Sequence, residues 1–410
     1  MEYLKLFFLI YSVFALVKFC IYFFSSRYYD YRPSNFVKRR KKVSDPLVSV
    51  LIPVWNEQEN VLHTINSVLS STYTNLEVMV INDGSTDSTR YLIEREMKEL
   101  DWIGDNRLVL INQENGGKSV AIENGIQNST GEYVIVIDGD SLLKKNAIEE
   151  IVRRTVDNDW DFATGHIEVA NYNSFFGLLQ YCEYKLAFDY KKFQDITRSI
   201  IVLPGCFSIY KRGPLLESNK LPIGKLTEDM DLTFNLRRGG YKGGYVHSAV
   251  IVTEVPETFK QVIKQRVRWR LGGLISIYSN KDMLFDPKVG LWFSFLELPH
   301  AILGIFLIFI FPVYLFFSWG GVMDVKYLLD FLLLYLLVDI VYVYPLLSDP
   351  ETYKKPKIIL VLPLIAVLMQ VFAFIEFIAS HKALLKYFSS NRNSWDKLQR
   401  VGIGSAASTS

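Results

Sequence analysis

From residue 47 the chain strings together four short β-branched runs, at 48–52, 78–81, 108–111 and 133–137. Helical periodicity separates them, so they read as βαβ units around a mainly parallel sheet, because parallel neighbours need a crossover that a helix supplies. Pro53 is expected to end the first strand, with a helix following over 60–69. Each run delivers a polar cluster at its carboxyl end: Asn56-Glu57, Asn82-Asp83-Gly84-Ser85, Asn115-Gly116-Gly117-Lys118 and Asp138-Gly139-Asp140. Open α/β sheets bind ligands at those ends. Residues 162–255 are less regular. An aromatic helix is expected over 175–188, and the apolar run at 200–203 leads into Pro204-Gly205-Cys206-Phe207-Ser208. Thr227-Glu228-Asp229 then opens a helix to Arg237, and a last strand covers 245–252.

The flanks have a different character. Residues 4–24 form an apolar run of about 20 residues, long enough to cross a bilayer as an uncleaved anchor. Arg27, Arg32, Lys38, Arg39, Arg40, Lys41 and Lys42 follow it, which by the positive-inside rule puts the next domain in the cytoplasm. Further candidate crossings lie at 291–319, 327–347 and 358–378. The expected organisation is an anchor at 1–26, a soluble domain at 45–256, interfacial amphipathic helices at 257–290, membrane helices at 291–380 and a basic, partly disordered tail at 381–410. Lys382, Lys386, Arg392, Lys397 and Arg400 favour a cytoplasmic tail, giving a multi-pass protein of the cell membrane. A formal net charge of +2 gives no overall bias toward nucleic acid. The three cysteines, Cys20, Cys182 and Cys206, form no CxxC pair and read as small buried hydrophobes.

The polar clusters suggest chemistry. Asp138 and Asp140 on one tight turn can present oxygens to a hard divalent cation, although such triplets also occur as solvated turns or caps. Glu57 and Asp83 can accept hydrogen bonds from a base or ribose, or simply shape turns. Lys118 after two glycines can meet phosphate, but without P-loop spacing. Glu228 and Asp229 at a helix start are either anions stabilised by the helix dipole or a general base; periodicity does not choose. Gln265-Arg266-Val267-Arg268-Trp269 sits on a helix at the border of the apolar region, where two arginines and a tryptophan suit anionic chemistry at a membrane. His247 reads as a structural histidine on a strand, and His166 has no assigned role.

Taken in order, the segments from Ile52-Pro53-Val54-Trp55-Asn56-Glu57 to the 265–269 motif resemble the processive family 2 glycosyltransferases, the inverting membrane polysaccharide synthases. The likeness runs motif by motif from residue 47 to about 273. It implies a glycosyltransferase type A (nucleotide-diphospho-sugar transferase) domain with α-helical membrane segments. By this resemblance Pro53, Glu57, Asp83, Lys118, Asp138, Gln265 and Arg268 would bind a UDP-sugar, and Asp138 and Asp140 would hold Mg²⁺ or Mn²⁺. Asp229, beside Glu228, would be the base. Gly205, Cys206, Phe207, Ser208 and Trp269 would line the acceptor site. The implied activity is polymerisation of a β-linked polysaccharide, with UDP-N-acetylglucosamine as donor, and its export through the enzyme's own membrane channel. Hyaluronan synthesis with UDP-glucuronate as second donor, chitin-like synthesis and single-sugar transfer to a lipid carrier are the alternatives. The implied partners are the UDP-sugar, the growing polymer, membrane lipid and an accessory membrane or export subunit.

Overall fold

The computed structural model describes residues 2–31, 45–99, 102, 105–217, 225–299, 333 and 343–389. Eight strands form one sheet: β1 (Val48–Val54), β2 (Leu76–Asp83), β3 (Leu108–Gln113), β4 (Tyr133–Ile137), β5 (Ser141–Leu143), β6 (Phe162–Val169), β7 (Phe207–Lys211) and β8 (Gly243–Thr253). Their order is β3-β2-β1-β4-β7-β6-β8-β5. The four β-branched runs are the parallel half, β3-β2-β1-β4. Every residue of β4 is buried, as expected of a strand covered on both faces.

The other half corrects the expectation of a mainly parallel sheet. β7 runs antiparallel to both β4 and β6, β5 runs antiparallel to β8, and only β6 and β8 are parallel. The sheet is therefore mixed. Pro53 does not end β1: it pairs with Ile81 on β2, beyond the last residue that pairs with β4, so it occupies a local edge where a proline is tolerated.

Helices α2 (Val61–Leu69), α3 (Thr89–Glu99), α4 (Lys118–Asn128) and α5 (Ala147–Asp157) accompany the strands. On α2, Val61, Thr64, Ile65 and Val68 recur at helical spacing and are all fully buried, and each large aliphatic side chain so buried contributes about 1.5–3 kcal/mol. Around this domain lie α6 (Phe175–Ile196), the short α7 (Arg212–Glu217), α8 (Glu228–Arg238) and α9 (Phe259–Ser279). The aromatic helix α6 thus runs eight residues past its expected end at 188.

Two described helices are long and apolar enough to cross a membrane: Leu9–Tyr31 within α1 (Glu2–Tyr31), and Val367–Phe388 within α10 (Ile365–Phe388). A 3-10 turn at Leu362–Leu364, carrying Pro363, precedes α10, so the continuous helix starts later than the expected 358. The 291–319 expectation is described only to 299, where Phe293–Glu297 forms a π-helical turn, and most of 327–347 lies outside the described residues. Helix α1 is fastened to α6 through a buried carboxylate. Asp189 accepts hydrogen bonds from Tyr22 Oη (2.8 Å), Ser26 Oγ (2.6 Å) and Arg27 Nη2 (2.7 Å), and Lys192 Nζ lies 3.1 Å from it. Burial would raise the pKa of Asp189, but Lys192, Ser26 and Arg27 outweigh it and hold the carboxyl below its ordinary range.

Candidate active site

The ends of β1 and β2 are laced into one polar ledge. Asn56 adopts a left-handed φ of 55°, accepts the Thr86 amide on Oδ1 (2.8 Å) and donates its own amide to Ser85 Oγ (3.0 Å). The Glu57 amide donates to Thr89 Oγ1 at 2.8 Å. Gly84 needs its φ of +65° for the turn, and a Cβ there would stand 2.7 Å from the Asn115 nitrogen. Asp83 is buried and heavily used: Oδ1 accepts Gln113 Nε2 and the Gly116 amide, and Oδ2 accepts the Gly117 amide, each at 2.8 Å. Its carboxylate thus shapes the glycine loop ahead of α4. Gly117, at φ +89°, is the residue before that helix, and the turn aims Lys118 back across the sheet.

Lys118 is the hub. Its ammonium lies 2.5 Å from Asp138 Oδ1 and 3.8 Å from Glu228 Oε1, and it donates to the Gly205 carbonyl at 3.2 Å. Antiparallel pairing explains the convergence. Ile137 at the end of β4 stands opposite Phe207 at the start of β7, so Gly205 and Cys206 arrive beside Asp138 from the other direction. Burial alone would depress the pKa of Lys118, but the Asp138 and Glu228 carboxylates raise it, so the ammonium stays charged. The amino end of α8 delivers Glu228 and Asp229. Burial raises both carboxyl pKa values, and the two neighbours act on each other, while Lys118 pulls both back down. The Met230 amide donates to Asp229 Oδ1 at 2.8 Å, and the Arg268 charge also favours its ionised form. Burial makes such a carboxylate a stronger base than an exposed one, while the neighbouring cations favour its ionised form.

Glu57 and Pro53 border the Asp138–Asp140 turn: a Cβ on Gly139 would meet the Pro53 carbonyl at 3.3 Å and Glu57 Cγ at 3.5 Å. Asp138 is partly exposed, whereas Asp140 is buried and accepts from Ser141 Oγ at 3.3 Å. Among the described residues no three His, Cys, Asp or Glu side chains form a metal-ligand cluster. Two hard carboxylates on one turn nevertheless suit Mg²⁺ or Mn²⁺ in kind, with ligand phosphate oxygens to complete the shell, and the Lys118 ammonium already marks Asp138 as a cation site. Phe207 and Ser208 are fully buried, Ser208 Oγ donating to the Pro204 carbonyl at 2.9 Å. Of the 205–208 segment, Gly205 and the half-buried Cys206 face the cluster; burial pushes the Cys206 thiol pKa up, which keeps it neutral.

The 265–269 motif divides its residues between two faces. Gln265 is buried and its Oε1 has no partner among the described residues, leaving an acceptor available to a ligand. Arg268 acts on Asp229, as above. Arg266 instead pairs with Glu183 on α6, so its fork is committed to a carboxylate of this chain. Three other contributors were not legible. Buried Asp231 accepts from Ser276 Oγ (2.8 Å) and Asn280 Nδ2 (2.7 Å), holding α8 against α9. Lys191 donates to the Val202 carbonyl at 2.5 Å; burial, against the attraction of Glu297 and Asp229, lowers its pKa to about 8. Tyr245 Oη bridges His166 Nδ1 (2.8 Å) and His247 Nδ1 (3.1 Å) across β6 and β8. The His166 ring meets Phe188 and His247 edge-on.

Residues 49–217 match the model of the family described as Glycosyl transferase family 2. Over 228 residues the chain is 30% identical to a protein of Staphylococcus aureus (strain COL) named poly-beta-1,6-N-acetyl-D-glucosamine synthase, covering 55% of this chain and 54% of that one. The protein of the same name from Staphylococcus epidermidis is 28% identical over 284 residues, 68% of each chain. The aligned part thus spans about half the length of the S. aureus relative. Among solved structures, a mannosyltransferase from Pyrobaculum calidifontis, determined with GDP-Man and Mn²⁺, shares the fold with a TM-score of 0.56 at 16% identity, over 92% of this chain and 98% of that one. The mixed sheet and its helices are therefore a type A glycosyltransferase fold.

Proposed function

We propose that this chain, which carries a family 2 glycosyltransferase domain over residues 49–217, is a processive inverting enzyme that polymerises a β-linked polysaccharide from UDP-N-acetylglucosamine. The observation that carries the reading is the convergence of Lys118, Asp138, Glu228 and Asp229 where β4 ends, β7 begins and α8 starts. Lys118 and Asp138 lie within residues 49–217, which match the family 2 glycosyltransferase model, and Glu228 and Asp229 reach them from beyond it.

In this reading the uracil and ribose rest on the ledge made by Pro53, Glu57 and the loop braced by Asp83. The diphosphate meets Lys118, Gln265 and Arg268, which offset its charge. Asp138 and Asp140 would hold Mg²⁺ or Mn²⁺, which when bound neutralises the leaving diphosphate. Asp229, whose ionised form Lys118 and Arg268 favour, takes the proton from the acceptor hydroxyl, and Glu228 supports the charge balance. That oxygen forms a bond to the anomeric carbon from the side opposite UDP. The carbon–oxygen bond to UDP breaks with its electron pair going to the phosphate, so the configuration inverts. Gly205, Cys206 and Trp269 line the acceptor path, with Phe207 and Ser208 supporting it from the core. The proposed arrangement sets the domain on the cytoplasmic side of the cell membrane, with the boundaries 1–26, 45–256, 257–290, 291–380 and 381–410, and exports the polymer alongside the membrane helices.

The test is a donor screen over UDP-sugars, singly and in pairs, with enzymatic digestion of the product. Incorporation from UDP-N-acetylglucosamine alone supports the reading. A requirement for UDP-glucuronate as well would move the assignment to hyaluronan synthesis.

A further inference from the structure

We infer that Arg266 is a positioning residue that fixes the Trp269 indole and couples this acceptor platform to the membrane helix α10; the inference rests on the transferase reading above. On a helix, residues two apart are rotated by about 200°, whereas residues three and four apart share a face. The 265–269 motif therefore encodes two stripes. Gln265 and Arg268 form one. Arg266 and Arg270 form the other, and Trp269, four residues from Gln265 and three from Arg266, stands between them.

Contacts on the second stripe form a closed set. Arg266 is 3% exposed and grips Glu183 of α6 with both terminal nitrogens, Nη1 to Oε1 at 2.7 Å and Nη2 to Oε2 at 2.6 Å. Its Nη1 also lies 3.6 Å from Glu376 on α10, and Arg270 Nε donates to the same carboxylate at 2.6 Å. The guanidinium carbon stands 4.4 Å from the Trp269 ring centroid and 5.4 Å from that of Phe372 on α10. One guanidinium thus touches two neighbouring helices and the tryptophan of its own. A group whose fork is committed to a carboxylate is a poor ligand for diphosphate, and a cation against one side of an indole restricts the ring's orientation. Lysine cannot reproduce this arrangement, since it has neither the fork nor the plane. Glu376 then ties the stripe to a helix apolar enough to span the membrane, so a shift of α10 is felt at Trp269.

The experiment compares the full-length membrane protein with Arg266→Lys and Glu376→Gln, using UDP-N-acetylglucosamine as donor and a short β-linked N-acetylglucosamine oligomer as acceptor. Arg266→Lys is expected to raise the acceptor KM roughly tenfold and shorten the product, while the donor KM stays within about twofold. Glu376→Gln, which keeps the Glu183 fork, is expected to shorten the product with the donor KM unchanged. Equal changes in donor and acceptor KM, or unchanged acceptor KM and product length, overturn the inference. Should Arg266→Lys fail to accumulate in membranes, product length in Glu376→Gln decides alone, and wild-type length refutes the coupling. Wild-type protein that forms no polymer counts against the transferase reading instead, so the two failures are separable.

Discussion

Replacing Lys118 with methionine removes the cation around which the acidic cluster is built while keeping much of the side chain's length. The attraction between unit charges at the 3.8 Å separation of Lys118 and Glu228 is about 4 kcal/mol at an effective dielectric of ~20. Lys118 is 34% exposed, so solvent screening reduces the useful part to about 1–2 kcal/mol. That corresponds to about a five- to thirtyfold loss in kcat/KM at neutral pH, before any lost phosphate contact is counted. The pH profile gives the sharper readout. Lys118 lowers the pKa of Glu228 and Asp229, so its removal raises both, and the base must be ionised to work. The acidic limb of the profile should therefore move to higher pH, with activity partly recovered in alkaline buffer. UDP release measured across pH for wild type and Lys118→Met is the assay. A variant with an unmoved acidic limb and kcat/KM within about twofold of wild type refutes the electrostatic role of Lys118.

Four further outcomes are expected. Asp229→Asn should lower kcat by at least about a thousandfold while UDP binding, followed by calorimetry, persists, because the amide cannot accept the acceptor's proton. Asp83→Ala leaves the Gly116 and Gly117 amides without their acceptor, at a cost of about 1–3 kcal/mol, and should appear chiefly as a raised donor KM in initial-rate kinetics. Gly165→Ala would drive a Cβ to 2.3 Å from the Phe207 ring and should lower the thermal midpoint of the detergent-solubilised protein, reading overpacking of about 1–3 kcal/mol. Chelation by EDTA should abolish sugar transfer, and added Mn²⁺ should restore it in an activity assay; undiminished turnover would detach Asp138 and Asp140 from a metal role.

The parallel half of the sheet was readable because its strands are buried on both faces and appear as unbroken aliphatic runs such as Tyr133–Ile137. The antiparallel half was not, since β6 interrupts its run with Gly165, His166 and Glu168. Gly165 is required by the close approach of Phe207 on β7, a tertiary constraint with no local signature. Pro53 misled for a related reason: whether a proline ends a strand depends on where its neighbour stops pairing. At the site, the residue types were visible one by one. Lys118, Asp138, Glu228 and Asp229 meet only because β7 returns antiparallel beside β4. The opposite tasks of Arg266 and Arg268 follow from helical spacing, but their partners Glu183 and Glu376 lie 83 and 110 residues from Arg266 (266 − 183 and 376 − 266). Nothing in the motif itself names them.

The central claim, chain growth, is tested most directly by incubating the purified full-length protein in lipid with UDP-N-acetylglucosamine and sizing what forms. The account predicts a β-linked polymer of many residues, made by wild type and not by Asp229→Asn. A product carrying a single sugar on lipid would contradict it.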